Sequence, residues 1–261
     1  MGLLFALFTV LTQAAVGMTL ALWLTDIIPG RKNPRPARKT PWRRILVMAA
    51  TGLAALLIHA GGPLEARQSL GQPGPQWIGL ECLLFSSFLI LVVIANIRAH
   101  ALVTATALIC GLAGIIATGM TYTAPERSLI CNALPPLFFM LTTAALGAAF
   151  ALSFSGKEGQ RQIQRILTGV LVLTIAVSIV TPTIWGTGGG AMMRAAALAW
   201  SFSPLFWIFI ALGLLVPLFL VIGLQNLPAW AAWLMLLGTF AGRAQFFLTP
   251  PNIAAFTRFP L

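Results

Sequence analysis

Two ionisable residues stand out in a chain that otherwise avoids charge. His59 closes one apolar segment and Glu81 lies a few residues into the next. An imidazole and a carboxylate held at similar depth on neighbouring elements can accept and pass protons. In hydrocarbon such groups cost kilocalories each, and they mark proton, ion or substrate paths. Arg243, near the end of the last apolar segment, and Tyr122, the sole tyrosine, add a buried cation and a phenol. Each residue also admits a structural role. His59 could bond a loop carbonyl at the membrane interface. Glu81 could sit in the favourable field of a helix N-terminus. Arg243 could extend to the interface, and Tyr122 could belong to an aromatic belt.

These residues need a frame, and composition supplies it. Apolar residues make up 59% of the 261 positions and charged residues 8%. Mean hydropathy is +0.93, which points to membrane spans rather than one large aqueous core. No segment alternates in the manner of a spanning β-barrel. The expected fold is therefore an all-α integral membrane protein, a single transmembrane domain over residues 1–261. Eight spans are expected at about 2–28, 45–61, 77–97, 101–122, 134–155, 166–185, 205–224 and 229–248. The first lacks a positively charged lead and its apolar run is too long for a typical cleaved signal, so it reads as a span that stays.

Lys and Arg orient the spans. Eleven of the sixteen fall in odd-numbered connections, seven of them within Arg31–Arg44, and four fall on the opposite side. The excess belongs in the cytoplasm, which puts both termini on the outer side of a bacterial inner membrane. The net charge of +11 is thus a topology signal and not a nucleic-acid footprint. The Arg31–Arg44 run suits anionic lipid head groups as well as anchoring, and its Pro34, Pro36 and Pro41 argue against a helix there. The outer connections, above all 62–76 and 186–204, carry the Gly, Pro and Trp of built loops.

Other motifs carry less. Gly238 and Gly242 form a small-xxx-small pair that suits close helix packing. The glycines of 186–190 have no preceding strand and no Lys-Ser/Thr after them, so they form a loop and not a phosphate cradle. Cys82, Cys110 and Cys131 have neither disulfide nor cluster spacing. His59 and His100 fall at opposite faces, about 30 Å apart, and cannot share one haem iron. No haem and no metal site are expected. No internal repeat is evident.

With the spans in place, His59, Glu81, Tyr122 and Arg243 fall at one depth on four helices. This is the inventory of a quinone site. An apolar cleft takes the ring and tail, His or Arg bonds a carbonyl, and a carboxylate moves protons. A proton-coupled secondary transporter competes with this reading, although transporters favour midplane sites and paired repeats.

The segment His59-Ala-Gly-Gly-Pro63-Leu-Glu65-Ala-Arg67-Gln-Ser69-Leu70, followed by Glu81, resembles the DMSO reductase membrane-anchor subunit family. Phe8-Thr9-Val10-Leu11-x-Gln13-x-x-x-Gly17 is similar to that family's first helix, and Gly242-Arg243-x-x-Phe246-Phe247 to its last. Tyr122, Pro125, Pro136 and Phe139 match its short central elements. The chain departs from the pattern at Glu65, where the family has Arg, at Pro75–Leu80, and at Thr239, where the family is acidic. The resemblance implies a subunit that oxidises menaquinol in anaerobic respiration. Its electrons pass to an iron–sulfur partner subunit, which serves a molybdopterin catalytic subunit. It implies that His59 and Glu81 line the quinol site, with Arg243 helping. Iron–sulfur clusters and molybdopterin belong to the partners. Relatives working in reverse reduce quinone instead.

Overall fold

The computed structural model describes residues 2–27, 35–62, 64, 77–98, 100–121, 134–153, 157–188, 190–224 and 227–248. Within them the chain is helical throughout, and eight helices are long and apolar enough to cross a membrane. This is a multi-pass membrane protein. The helices are α1 (Gly2–Ile27), α2 (Arg35–His59), α3 (Trp77–Arg98) and α4 (Ala101–Met120). They continue with α5 (Leu134–Leu152), α6 (Lys157–Thr187), α7 (Ala191–Ser201), α8 (Pro204–Gly223) and α9 (Ala229–Leu248). All but the 11-residue α7 are span-length.

The packing forms two four-helix rings. In the first, α1 packs on α2, α2 on α3, α3 on α4, and α4 back on α1. In the second, α5 packs on α6, α6 on α8, α8 on α9, and α9 back on α5. The rings join where α1 meets α5 and α9, and where α4 meets α5. Their outward faces are covered with exposed Ile, Leu, Val, Phe and Trp, for example Ile97, Ile109, Phe219 and Ile222. In water such a surface would be unstable. In lipid it is the solvated face, since acyl chains are as apolar as leucine.

The joint between the rings depends on two glycines. A Cβ on Gly17 of α1 would stand 2.2 Å from the Thr143 carbonyl oxygen and 2.8 Å from Gly147 Cα. A Cβ on Gly147 of α5 would stand 2.3 Å from Gly17 C. The two backbones touch, which only a pair of residues without side chains permits. The small-xxx-small pair of α9 acts the same way. A Cβ on Gly238 would stand 2.2 Å from Gly213 N, and one on Gly242 would stand 2.7 Å from the Phe209 ring.

Three features differ from the sequence expectation. First, Pro36 and Pro41 do not prevent a helix, because α2 begins at Arg35. Pro36 falls in the first turn, where its missing N–H would have had no partner anyway. Pro41 costs one bond near the start, and the membrane-length part runs from Pro41 to His59. Second, the 186–204 connection folds into α7, which packs on α6 and on the start of α8. Third, α8 is π-helical over Phe209–Leu215, and the Val216 amide bonds the Ala211 carbonyl, five residues back. Pro217 supplies no N–H to the ladder just beyond, so an extra residue is accommodated there at little cost.

Candidate functional site

Antiparallel threading brings the C-termini of α2, α4, α6 and α9 and the N-termini of α1, α3, α5 and α8 to one end of the bundle. His59 is the last residue of α2, Glu81 the fifth of α3, and Arg243 lies about five residues before the end of α9. All three share that end. His100 caps the opposite end of α4, its Nδ1 accepting a hydrogen bond from the Leu102 amide at 3.3 Å. Tyr122 lies outside the described residues.

Depth is shared, but direction around the helix axes is not. Glu81 is fully buried and turns toward α4, where its Oε1 accepts a hydrogen bond from the Thr121 hydroxyl. Thr121 is the first residue past α4, so the helix end supplies this donor. The other carboxylate oxygen, Oε2, is buried and has no hydrogen-bond partner among the described residues. His59 turns instead toward α1, its ring 4.8 Å from that of Phe5. From there Phe5, Phe8 and Phe85 form a row of edge-to-face rings, each 5.2 Å from the next. Phe85 stands one turn beyond Glu81 on the same helix face, so the aromatic row runs from the imidazole to the turn that bears the carboxylate.

Arg243 belongs to a different constellation. It is 1% exposed, among the most buried side chains in the protein. Its Nη2 donates to Thr142 Oγ1 at 2.8 Å and to Gln13 Oε1 at 3.4 Å. Thr142 in turn donates to Gln13 Oε1 at 2.7 Å. The guanidinium carbon sits 3.8 Å from the centre of the Phe139 ring and 5.0 Å from that of Phe138. Hydrogen bonds to a planar fork and stacking on an aromatic face are what Arg offers and Lys does not. Gln13 precedes Gly17 by one turn and Thr142 precedes Gly147 by one turn and a half. The glycine contact between α1 and α5 is therefore what lets a short amide and a hydroxyl meet across the ring joint. Sequence reading placed Arg243 beside Glu81 in depth, and the structure gives each its own polar partners on different helices.

The network predicts a measurable cost. Thr142→Val keeps the shape and removes the hydroxyl that both Arg243 and Gln13 use. The expected loss is about 1–2 kcal/mol, because a buried cation and an amide each forfeit a bond in a medium without water. Unfolding of the purified chain in mixed micelles would read it as a lower midpoint. An unchanged midpoint would show the three residues to be energetically independent.

Arg243 also lines a cleft enclosed by α5 to α9, with about 640 Å³ of empty space when its mouth is included. Its wall is largely aromatic, with Trp185, Trp200, Phe206 and Phe246 contributing. The π-helical Phe209 completes it. Gln245, 2% exposed, accepts from the Ser203 hydroxyl through Oε1 and lines the same space. No group of three or more His, Cys, Asp or Glu that could hold a metal ion occurs among the described residues.

Sequence reasoning missed Gln13, Thr121, Thr142, Trp200 and Gln245. A signal existed for Gln13, a lone amide in the middle of a span, since polar residues in hydrocarbon seek protein partners. The threonines give no such signal, because a helical Thr satisfies itself on the carbonyl four residues back, as Thr118 does on Gly114 at 2.9 Å. Compared with known family models, curated proteins and solved structures, the chain finds no match.

Proposed function

We propose that this chain is the membrane-anchor subunit of a molybdopterin oxidoreductase complex of the DMSO reductase type, oxidising quinol at the His59–Glu81 end. The observation that carries the reading is Glu81 Oε2, a buried carboxylate oxygen without a hydrogen-bond partner among the described residues, at the end of the bundle that also holds an imidazole. Burying a carboxylate is costly, and an oxygen left without a donor makes it costlier. A ligand hydroxyl would relieve that cost. Quinol offers two hydroxyls on a flat ring, and the row from Phe5 to Phe85 offers edge-to-face neighbours for the ring.

In this reading a quinol hydroxyl donates to Glu81 Oε2 while Thr121 holds the other oxygen in place. His59 accepts the second hydroxyl proton. Loss of two protons and two electrons converts quinol to quinone. The electrons leave one at a time to an iron–sulfur cluster carried by a partner subunit, which feeds the molybdopterin subunit. The imidazole and the carboxylate release the protons at the end where they sit. The charge bias of the connections assigns that end, with both termini, to the outer side of a bacterial inner membrane. Protons released and electrons delivered on one side generate little membrane potential directly. Run backward, the same two groups would protonate a reduced quinone.

His59→Ala in the purified complex is expected to lower quinol-dependent electron delivery by about 100-fold, the usual scale for a general base. Electron delivery from an artificial donor that bypasses the membrane subunit should be unchanged. Near-normal quinol turnover in this variant would reject the role of His59.

A further inference from the structure

We propose that the cleft enclosed by α5 to α9 is a second binding site, for a planar aromatic molecule carrying carbonyl oxygens. It is separate from the Glu81 end and goes beyond the quinol-oxidising role: it stands or falls by itself. The chemistry follows from which hydrogen-bonding groups remain. Trp200 Nε1 and Gln245 Nε2 are buried donors with no hydrogen-bond partner among the described residues, and both residues line the cleft. With its Oε1 accepting from the Ser203 hydroxyl, the Gln245 amide NH2 is what remains. The Arg243 guanidinium, a third donor group, is part of the same wall.

Ser178 donates to the Thr174 carbonyl at 2.6 Å and Thr181 to the Val177 carbonyl at 2.7 Å, so these hydroxyls add no donor and can only accept from an occupant. The N–H groups of Trp200 and Gln245 ask that occupant for acceptors. Buried N–H groups without partners are costly, and an acceptor-bearing ligand would recover that cost. The rest of the wall selects the shape. Trp185 and Trp200 stand edge to face at 5.2 Å, and Trp200 faces Phe246 at 6.3 Å. Such rings favour a flat aromatic guest over an acyl chain. A ring with carbonyl oxygens meets both demands. A lipid phosphate meets the first alone.

The test uses the full chain in nanodiscs of zwitterionic lipid and an azido-substituted naphthoquinone as photo-probe, with labelled peptides mapped by mass spectrometry. Label is expected in the peptides bearing Trp200 and Gln245, displaced by unmodified naphthoquinone. Trp200→Phe with Gln245→Leu removes both donors and keeps an aromatic ring and an apolar side chain of similar length. It should weaken displacement about 30-fold, the scale of two lost hydrogen bonds of about 1 kcal/mol each. Trp200→Phe alone, which keeps the ring, should show a smaller loss and guards against misfolding of the double variant. Absence of label from these peptides would overturn the proposal. So would label that both variants leave unchanged, or label displaced by anionic lipid and not by naphthoquinone. Label at α2 and α3 is read separately in the same digest, so failure of either site is distinguishable from failure of the other.

Discussion

Glu81→Gln is expected to lower quinol-dependent turnover by about 100-fold or more while leaving the apparent affinity for quinol within a few-fold. The amide keeps the size of the carboxyl and still presents an oxygen to the Thr121 hydroxyl, so the ligand's seat persists. What it loses is the capacity to take a proton. The loss therefore falls on kcat and not on KM, the signature of a group needed in the transition state more than in the ground state. A merely structural Glu81 would behave oppositely. Because Oε2 has no hydrogen-bond partner among the described residues, an uncharged Gln in the same space would be tolerated or even stabilising, and turnover would hold. Steady-state kinetics on the purified complex, with detergent-solubilised quinol as donor, separates the two outcomes.

Gly17→Val is expected to carry a large stability penalty, about 3 kcal/mol or more. Its Cβ alone would stand 2.2 Å from the Thr143 carbonyl oxygen, a backbone atom that cannot rotate away. The α1–α5 joint would have to open. Its opening would also pull Gln13 from Thr142 and so loosen the seat of Arg243. Gly147→Val should do the same from the other side, where its Cβ would stand 2.3 Å from Gly17 C. Because one contact is broken in both cases, the double variant should cost far less than the sum of the singles. Gly169 and Gly223 have open space where a Cβ would go, and their replacement by Ala should leave the unfolding midpoint near that of the parent. Denaturation of the purified chain in mixed micelles measures all four.

Depth along the membrane normal was legible in the sequence, and position around each helix was not. Spans follow from summed hydropathy, and the last, Ala229–Leu248, has the ends expected of it. Once spans alternate in direction, the level of His59, Glu81 and Arg243 follows from counting. Rotation about each axis does not follow, because a membrane helix shows leucine to lipid and leucine to its neighbours alike. In α3, exposed Leu83, Ile90 and Ile97 are chemically the same as what the core contains. Thus the sequence could not tell that Glu81 turns to α4, His59 to α1, and Arg243 to Gln13 and Thr142.

The prolines misled for a related reason. A proline near a helix start costs little, and Pro36 and Pro41 sit early enough in α2 to be absorbed. The π-helical turn at Phe209–Leu215 has a cause in the sequence, Pro217, but its register depends on Gly213 meeting Gly238 across helices. Pairing of that kind is tertiary information. The α5–α9 cleft was invisible for the same reason. Its wall comes from five helices, and the residues that define its chemistry, Trp200 and Gln245, look like filler in their own segments.

The most direct test of the central claim is a double-mutant cycle between His59 and Glu81, read in quinol turnover. If both groups act on one quinol, removing either already disables the reaction, and His59→Ala with Glu81→Gln together should be about as slow as the worse single variant. Losses that multiply would show two groups acting independently, and turnover near the parent rate in the double variant would contradict a quinol site at this end of the protein.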